Sequence, residues 1–165
     1  MRSVKRGMKT VKTRAALLLA TWFGCGYSPV APGTVGSLGG LLAAWLLHQW
    51  RGWEGLPFLL LALAVALPGI WAAGAAARHI GIKDPGIVVV DEVAGQWITL
   101  AGATELNWKG WLGAFLLFRL FDIWKPWPVR RLERISGGGG IVADDVMAGA
   151  YGAVILYAAG RFGLY

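Results

Sequence analysis

Long uncharged, apolar stretches alternate along the chain with short segments that carry most of its charge. Such stretches predict membrane-spanning helices, which need about 20 apolar residues each. Five candidates follow one another, at 35–50, 57–77, 87–103, 111–124 and 141–160. The second is free of charge, whereas the last three carry carboxylates near one end. We therefore predict an all-α fold, a polytopic membrane helical bundle of about five spans.

A shorter apolar segment, 15–23, precedes the first predicted span and is too short to cross a bilayer. The glycine- and proline-rich stretch 24–34 follows it. We predict that this segment is an N-terminal interfacial or re-entrant helix. A cleavable signal peptide is the alternative, since basic residues precede the apolar core. The bulky Trp22-Phe23-Gly24 sequence is a poor cleavage context, so we do not expect removal.

Composition supports a membrane protein of one domain. The chain has 165 residues, of which 56% are hydrophobic and 15% are charged. A soluble domain carries about 25% charged residues, so this chain lacks the charge to cover a soluble surface. Its 10 Trp and 25 Gly fit interfacial anchors and close helix packing. These features, with Cys25 as the single cysteine, exclude a disordered chain, a disulfide scaffold and an ordinary soluble enzyme.

The net charge of +7 is concentrated at the N-terminus, where residues 1–14 hold six bases and no acid. Because the rest of the chain is close to neutral, we expect this segment to bind an anionic membrane surface and not nucleic acid. In a five-span topology the basic loops 78–86 and 125–140 lie on the same side, and basic loops mark the cytoplasm. We predict a basic cytoplasmic tail, 1–14, followed by a single membrane-embedded domain, 15–165.

Carboxylates collect on the cytoplasmic side of this topology. Charged groups at membrane depth are costly, so they are rare there and usually functional. Carboxylates gathered at one depth also repel one another unless cations neutralise them, and Mg²⁺ is a hard divalent cation that prefers oxygen ligands. The acids in or beside predicted helix ends are Asp84, Asp91, Glu92, Asp122, Asp144 and Asp145.

Local explanations exist for some of these acids taken singly. Asp84 precedes Pro85, a pairing that is common where a helix begins. Arg119 and Asp122 are three residues apart and can pair on one helix. Such uses are frequent, but a shared site explains the whole set better than six separate coincidences.

The remaining acids differ in how well a local explanation fits. Asp144 and Asp145 are predicted in the first turn of a helix, where the helix dipole favours negative charge. Asp91 and Glu92 have the weakest local explanation, because they lie inside a predicted span with no base nearby in sequence. These two acids are therefore the best candidates for a functional role.

Two glycine-rich turns lead into predicted helices on the same side, at 24–37 and 137–140. The N–H groups at a helix N-terminus bind anions, and Thr34 is a plausible N-cap of the first helix. Neither turn matches the Walker pattern of nucleotide-binding loops. The candidate phosphate contacts in the first turn are Gly33, Thr34, Gly36 and Ser37.

Three bases, Lys83, Arg119 and Lys125, lie on the same side as these acids and glycines. Acids that hold a metal, with cations and amides that hold phosphate, are the components of metal-assisted phosphoryl transfer or hydrolysis. A position at the depth of the lipid headgroups makes a phospholipid the natural substrate. The spacing alone therefore predicts phosphate chemistry on a lipid and no more specific reaction.

Four sequence blocks, in order, match those of one bacterial enzyme family. The first joins A-T-W-F-G at 20–24 to A-P-G-T-V-G-S at 31–37, and the second joins K-D-P-G at 83–86 to V-D-E-V-A-G at 90–95. The third is F-R-L-F-D-I-W-K-P-W-P at 118–128, and the fourth joins G-G-G-G at 137–140 to D-D-V-M-A-G at 144–149. In these blocks the chain resembles the phosphatidylglycerophosphatase A family, membrane enzymes that convert phosphatidylglycerophosphate to phosphatidylglycerol and phosphate.

The resemblance implies Mg²⁺ as cofactor and an active site at the cytoplasmic face of the bacterial inner membrane. Our hypothesis is that Asp84, Asp91, Glu92, Asp122, Lys125, Asp144 and Asp145 have catalytic roles. Metal ligation is expected among Asp91, Glu92, Asp122, Asp144 and Asp145. Substrate phosphate is expected to contact Gly33, Thr34, Gly36, Ser37, Arg119 and Lys125.

Several alternatives stay open at the level of sequence. One acid could attack phosphorus directly and form an acyl-phosphate, or water could be activated for direct hydrolysis. Another phospholipid, such as phosphatidic acid, is an alternative substrate. A small ion-coupled carrier is the alternative from another class, although it would need carboxylates at mid-depth and an internal repeat. The sequence does not determine the oligomeric state.

Overall fold

The computed structural model describes the backbone of residues 2–165 and the side chains from residue 11 onward, and this part of the chain is all-helical. A short 3-10 turn, Cys25–Tyr27, follows the first helix. The α-helices are α1 (Arg2–Ala20), α2 (Pro32–Arg51), α3 (Leu56–Ile80), α4 (Val90–Ala101), α5 (Trp108–Trp124), α6 (Val129–Leu132) and α7 (Gly138–Arg161). Each predicted span therefore corresponds to a helix, whereas α6 was not predicted.

The short helix α4 is the centre of the bundle and packs against α2, α3, α5 and α7. Most of it is buried, namely Val90, Asp91 and every residue from Val93 to Leu100. The four surrounding helices turn apolar side chains outward instead, and examples are Leu42, Leu67, Leu116 and Val154, each more than half exposed. An outer surface of this kind suits contact with lipid.

The helices of the bundle alternate in direction. At one end, a Cβ added at Gly33 near the start of α2 would meet the Glu92 carboxylate at the start of α4 and lie 3.3 Å from Nη1 of Arg119 near the end of α5. At the same end, Gly138 at the start of α7 approaches Gly74 in the last third of α3. The N-termini of α2, α4 and α7 therefore meet the C-termini of α3 and α5.

Within the described part of the chain, two helices, α3 and α7, are long and apolar enough to cross a membrane. The prediction of about five spans is therefore not confirmed. The third predicted span is α4, whose 12 residues extend for only about 18 Å at about 1.5 Å per residue. It is shorter than predicted because the segment before Val90 is an irregular loop.

The N-terminal helix also differs from its predicted form. We expected a helix over 15–23 after a separate basic tail, but α1 runs without a break through residues 2–20. Ala16 and Ala20 are buried in the contact between α1 and its neighbours, chiefly α3. The side chains of the first ten residues lie outside the described part of the structure, so the membrane-binding role of the basic segment stays a prediction.

Glycines allow α4 and α7 to cross with their backbones in contact. A Cβ at Gly149 would meet the carbonyl oxygen of Gly95 and lie 2.9 Å from the Cα of that residue. The Thr99 hydroxyl donates a hydrogen bond of 3.1 Å to the Gly149 carbonyl at the same crossing. Asp91 and Asp145 each lie four residues, about one turn, before the two glycines. The crossing therefore brings these carboxylates together.

Candidate active site

The six predicted acids meet in one cavity of about 380 Å³ at the end of the bundle where α2, α4 and α7 begin. Arg119, Lys125 and Gly33, which the sequence also singled out, lie in its wall. The complete lining is Ala31, Pro32, Gly33, Asp84, Gly86, Val88, Asp91, Glu92, Arg119, Asp122, Ile123, Lys125, Ile141, Asp144 and Asp145. Residues from five separate segments thus form one polar site.

Asp91 and Glu92 lie in the first turn of α4, whereas the sequence predicted that a span begins before them, at residue 87. The difference arises because α4 begins at Val90, where the preceding loop ends. The Asp91 side chain is nonetheless buried, so its position is not that of a solvent-exposed acid at a helix terminus.

Asp144 and Asp145 lie about two turns into α7, whereas the sequence predicted the first turn. The helix begins earlier because Gly137 turns the chain with a φ of 78°, and the glycines that follow can pack against backbone. A Cβ at Gly138 would meet the Ile70 carbonyl. Both aspartates are buried, so the helix-dipole explanation at the first turn does not apply to them.

Asp84 does not cap a helix, because α4 begins six residues later. The aspartate lies instead in the loop at the rim of the cavity and is exposed there. Partial burial raises the pKa of the Asp84 carboxyl above its ordinary value, with Lys125 and Lys83 opposing the shift and Glu133 adding to it. A carboxylate in contact with both water and the cavity is suited to proton transfer.

Asp91, Glu92 and Asp145 form the tightest group of acids, with one oxygen of each within 4.8 Å of the others. Buried oxygens without a hydrogen-bond partner are found on each of the three: Asp91 Oδ1, Glu92 Oε2 and Asp145 Oδ2. Buried polar atoms normally have hydrogen-bond partners, so three unpartnered carboxylate oxygens close together indicate a cation site. Three carboxylates are a donor set that fits Mg²⁺.

Two cations pair with the other two buried acids. Arg119 Nη1 lies 2.6 Å from Asp122 Oδ2, which confirms that these residues pair along α5. Lys125 Nζ lies 2.7 Å from Asp144 Oδ2 on α7 and 3.5 Å from Glu133. Burial opposes the charge on Lys125, but its hydrogen bond and attraction to Asp144 outweigh that effect and raise the lysine pKa. The site thus contains fixed positive charge beside the acidic group.

The α2 turn contributes less than the sequence suggested. Thr34 is not the N-cap, because α2 begins at Pro32 with Ala31 in the capping position. Gly36 packs against Val89, and the buried Ser37 hydroxyl donates to the Gly33 carbonyl at 2.9 Å. Of the four candidate phosphate contacts in this turn, the structure brings Gly33 into the cavity wall and leaves Thr34, Gly36 and Ser37 out of it.

Two polar residues near the site were missed from sequence. Gln96 is completely buried one helical turn after Glu92, and neither its amide nitrogen nor its oxygen has a partner. Glu133, which lies between α6 and α7, approaches Lys125 and accepts a hydrogen bond at its backbone carbonyl from Lys83 Nζ at 3.1 Å. The spacing of Gln96 from Glu92 was the available signal, whereas Glu133 depends on the fold of the loop.

Replacing Lys125 with glutamine is expected to lower kcat for phosphate release by about 10- to 100-fold. The substitution leaves Asp144 with an uncompensated buried charge, and breaking one partner of such a pair costs several kcal/mol. Lys109→Gln, near the opposite end of α5, is the matched control, because the Lys109 ammonium contacts only the Trp108 ring at 6.0 Å among the described interactions. Equal activity of both variants would contradict a role for Lys125.

Comparison with known proteins finds one enzyme family over most of the chain. The family model for phosphatidylglycerophosphatase A matches residues 18–160. The chain is 40% identical over 145 residues to phosphatidylglycerophosphatase A of Escherichia coli strain K12, covering 87% of this chain and 83% of that protein. It is 39% identical over 142 residues to the Haemophilus influenzae protein of the same name, covering 86% of each chain.

A Bacteroides thetaiotaomicron protein, provisionally named a phosphatidylinositol-3-phosphatase, is 40% identical over 144 residues, which cover 85% of this chain and 90% of that protein. No solved structure matches the chain. The matched region includes all the acids of the cavity together with Arg119 and Lys125. The chain therefore belongs to the phosphatidylglycerophosphatase A family and is a phosphatase.

Proposed function

We propose that the protein hydrolyses the terminal phosphate of phosphatidylglycerophosphate, in a Mg²⁺-dependent reaction at the cytoplasmic face of the bacterial inner membrane. The observation that carries this proposal is the group of unsatisfied carboxylates on Asp91, Glu92 and Asp145, beside the paired cations Arg119 and Lys125. Such a site joins oxygen ligands for a metal to positive charge for a phosphate. Its place at the end of an apolar bundle suits a lipid headgroup.

Asp91, Glu92 and Asp145 would hold Mg²⁺. When bound there, the ion supplies charge neutralisation and polarisation of a phosphoryl oxygen. Asp122 and Asp144, also expected as ligands from sequence, each use one oxygen to pair with a cation. We therefore assign these two aspartates to positioning Arg119 and Lys125, while the other Asp144 oxygen, Oδ1, is buried without a hydrogen-bond partner.

Arg119 and Lys125 are assigned to the substrate phosphate. Arg119 lies in the cavity wall, so its positive charge is close to a phosphate bound there, and its buried Nε has no hydrogen-bond partner. The Gly33 N–H is among the unsatisfied donors expected in the first turn of α2, and its missing side chain allows α2 to approach Glu92 and Arg119. Asp84 at the rim is assigned to proton transfer with water, since it is the exposed carboxylate of the cavity.

The position of the acids argues against an ion-coupled carrier. A carrier places its ion site near the middle of the membrane, between broken helices. Here four of the acids lie within about two turns of the N-termini of α4 and α7, and Asp122 lies near the C-terminus of α5 at the same end of the bundle. Substrate choice within phospholipid phosphomonoesters is the more relevant alternative, because one relative carries a phosphatidylinositol-3-phosphatase name.

The test is phosphate release in nonionic detergent micelles from three lipids: phosphatidylglycerophosphate, phosphatidic acid and phosphatidylinositol 3-phosphate. We expect release that requires Mg²⁺, stops with EDTA and has its highest kcat/KM for phosphatidylglycerophosphate. A preference for either other lipid would replace the proposed substrate. Release that is unchanged in EDTA would remove the metal from the mechanism.

The orientation of the site is tested by cysteine labelling in a Cys25→Ser background. Ser136 is exposed in the loop before α7 at the acidic end of the bundle, and Glu105 is exposed before α5 at the opposite end. Each is replaced by cysteine in turn. A membrane-impermeant maleimide should label Ser136→Cys in inverted membrane vesicles and Glu105→Cys in right-side-out spheroplasts. The reverse pattern would place the active site on the outer face.

A further inference from the structure

A second, basic cavity adjoins the acidic one, and Lys125 lies in the wall of both. Its volume is about 510 Å³. The lining is Trp124, Lys125, Pro126, Trp127, Arg130, Arg131 and Arg134, which includes four bases and no acid. The basic loop 125–140 indicates the cytoplasmic side, but neither that signal nor the catalytic arrangement requires its arginines to line one cavity.

The three arginines of this cavity are available to a ligand. Arg130, Arg131 and Arg134 are exposed, and among the side chains from residue 11 onward none of them forms an ion pair with an acid. The Arg131 guanidinium lies 5.7 Å from the centre of the Trp127 ring. Arginine clusters of this kind recognise phosphate through paired N–H donors, and three unpaired guanidinium groups on one wall favour an anion.

The segment that carries the arginines is held in place by the bundle. Val129 at the start of α6 is completely buried in a cluster with Phe118 and Phe121 of α5. The Tyr151 hydroxyl of α7 donates a 3.0 Å hydrogen bond to the Trp127 carbonyl. These contacts hold the arginine-bearing segment against α5 and α7, which supply Lys125 and Asp144. The distance between the two cavities is therefore fixed by the bundle.

The aromatic side chains place this cavity at the lipid interface. Trp124 and Trp127 are 62% and 71% exposed, and tryptophan at a membrane surface lies at headgroup level. A phospholipid phosphodiester occurs at the same depth. The ligand chemistry that fits is therefore an anionic phosphodiester with a lipid attached.

We propose that the cavity formed by Arg130, Arg131 and Arg134 binds the phosphodiester of the substrate headgroup while the terminal phosphate occupies the acidic cavity. This inference rests on the proposed function. Phosphatidylglycerophosphate carries both groups, joined through a glycerol, whereas phosphatidic acid carries only a terminal phosphate. The basic cavity therefore acts as the specificity-determining subsite that selects a two-phosphate lipid.

The test compares wild type with the triple variant Arg130→Gln/Arg131→Gln/Arg134→Gln in nonionic micelles. We expect KM for phosphatidylglycerophosphate to rise at least about 10-fold, with kcat within about 2-fold, because charge-assisted contacts to a non-reacting group are lost. KM for phosphatidic acid should not change. The matched control is Arg51→Gln/Lys109→Gln/Arg161→Gln, which removes three exposed bases at the opposite end of the bundle and should leave both KM values unchanged.

Two results would overturn the proposal. An unchanged KM for phosphatidylglycerophosphate would mean that no substrate phosphodiester binds there. An equal rise in KM for both lipids would mean that the arginines attract the anionic surface or a neighbouring lipid in general. Binding of phosphatidylglycerol, measured by calorimetry in the same micelles, separates this question from catalysis. Wild type should bind it and the triple variant should not, whether or not the protein releases phosphate from any lipid.

Discussion

Asp91→Asn is expected to abolish Mg²⁺-dependent phosphate release, with kcat lowered on the order of 10³-fold. The substitution removes one of three clustered carboxylates while keeping the size of a side chain that is only 7% exposed. A metal supplies several kcal/mol of transition-state stabilisation, and each 1.36 kcal/mol or so corresponds to about 10-fold in rate. The measurement is initial rates of phosphate release from phosphatidylglycerophosphate in micelles at several Mg²⁺ concentrations.

Thermal unfolding separates this loss of activity from misfolding. Without metal, Asp91→Asn should be at least as stable as wild type, because it removes like-charge repulsion from Glu92 and Asp145. Mg²⁺ should raise Tm of wild type and not of the variant, since an ion that binds the native state stabilises it. Glu105→Gln, an exposed acid at the opposite end, is the control that should behave as wild type. A variant that retains both activity and the Mg²⁺ effect would remove Asp91 from the metal site.

Gly149→Ala should strongly destabilise the protein and inactivate it. The added Cβ would collide with the carbonyl oxygen of Gly95 and lie 3.0 Å from its carbonyl carbon, and a rigid backbone cannot move aside as a side chain can. Overpacking of this kind costs about 1–3 kcal/mol, or a fall in Tm on the order of 5–10 °C. Separation of α4 from α7 would also part Asp91 from Asp145, so activity should fall further than stability accounts for.

Gly139→Ala is the matched control for this substitution. Gly139 is on the same helix, yet a Cβ there meets nothing within 4 Å. The variant should retain wild-type Tm and activity, since alanine is tolerated in a helix at least as well as glycine. Thermal unfolding in detergent and phosphate release at saturating Mg²⁺ provide both measurements. Equal Tm and equal activity of the two alanine variants would show that α4 and α7 can move apart at their crossing without loss of stability or function.

Much of the helix pattern was predictable from hydropathy. Uncharged stretches identified α2, α3, α5 and α7 to within a few residues, because lipid-facing and buried positions are both apolar in a membrane bundle. The same reasoning overestimated α4, since a buried short helix has the composition of a span. It missed α6 because four polar and apolar residues between Pro128 and Glu133 carry no helical periodicity.

The membership of the site was also largely predictable, but its pairing was not. The topology collected Asp91, Asp122 and Asp145 on one side because acids avoid the bilayer core. It could not show that Lys125 pairs with Asp144 whereas Asp91 and Asp145 remain without an ion pair, since that depends on how the helices pack. Nor could it show that Ser37 turns inward to the Gly33 carbonyl.

The sequence by itself determined the helical class, the family and the set of acids that meet at one end of the bundle. Hydropathy and charge position determine which segments enter the bundle and where acids lie, because the costs of burial and desolvation depend on residue type more than on particular contacts. The tertiary structure decided which carboxylates remain unpaired and which cavity each base lines. The unpaired carboxylates follow from the backbone contact between Gly95 and Gly149, and the basic cavity follows from the segment with α6 that joins α5 to α7. Each feature forms only when helices distant in sequence pack together.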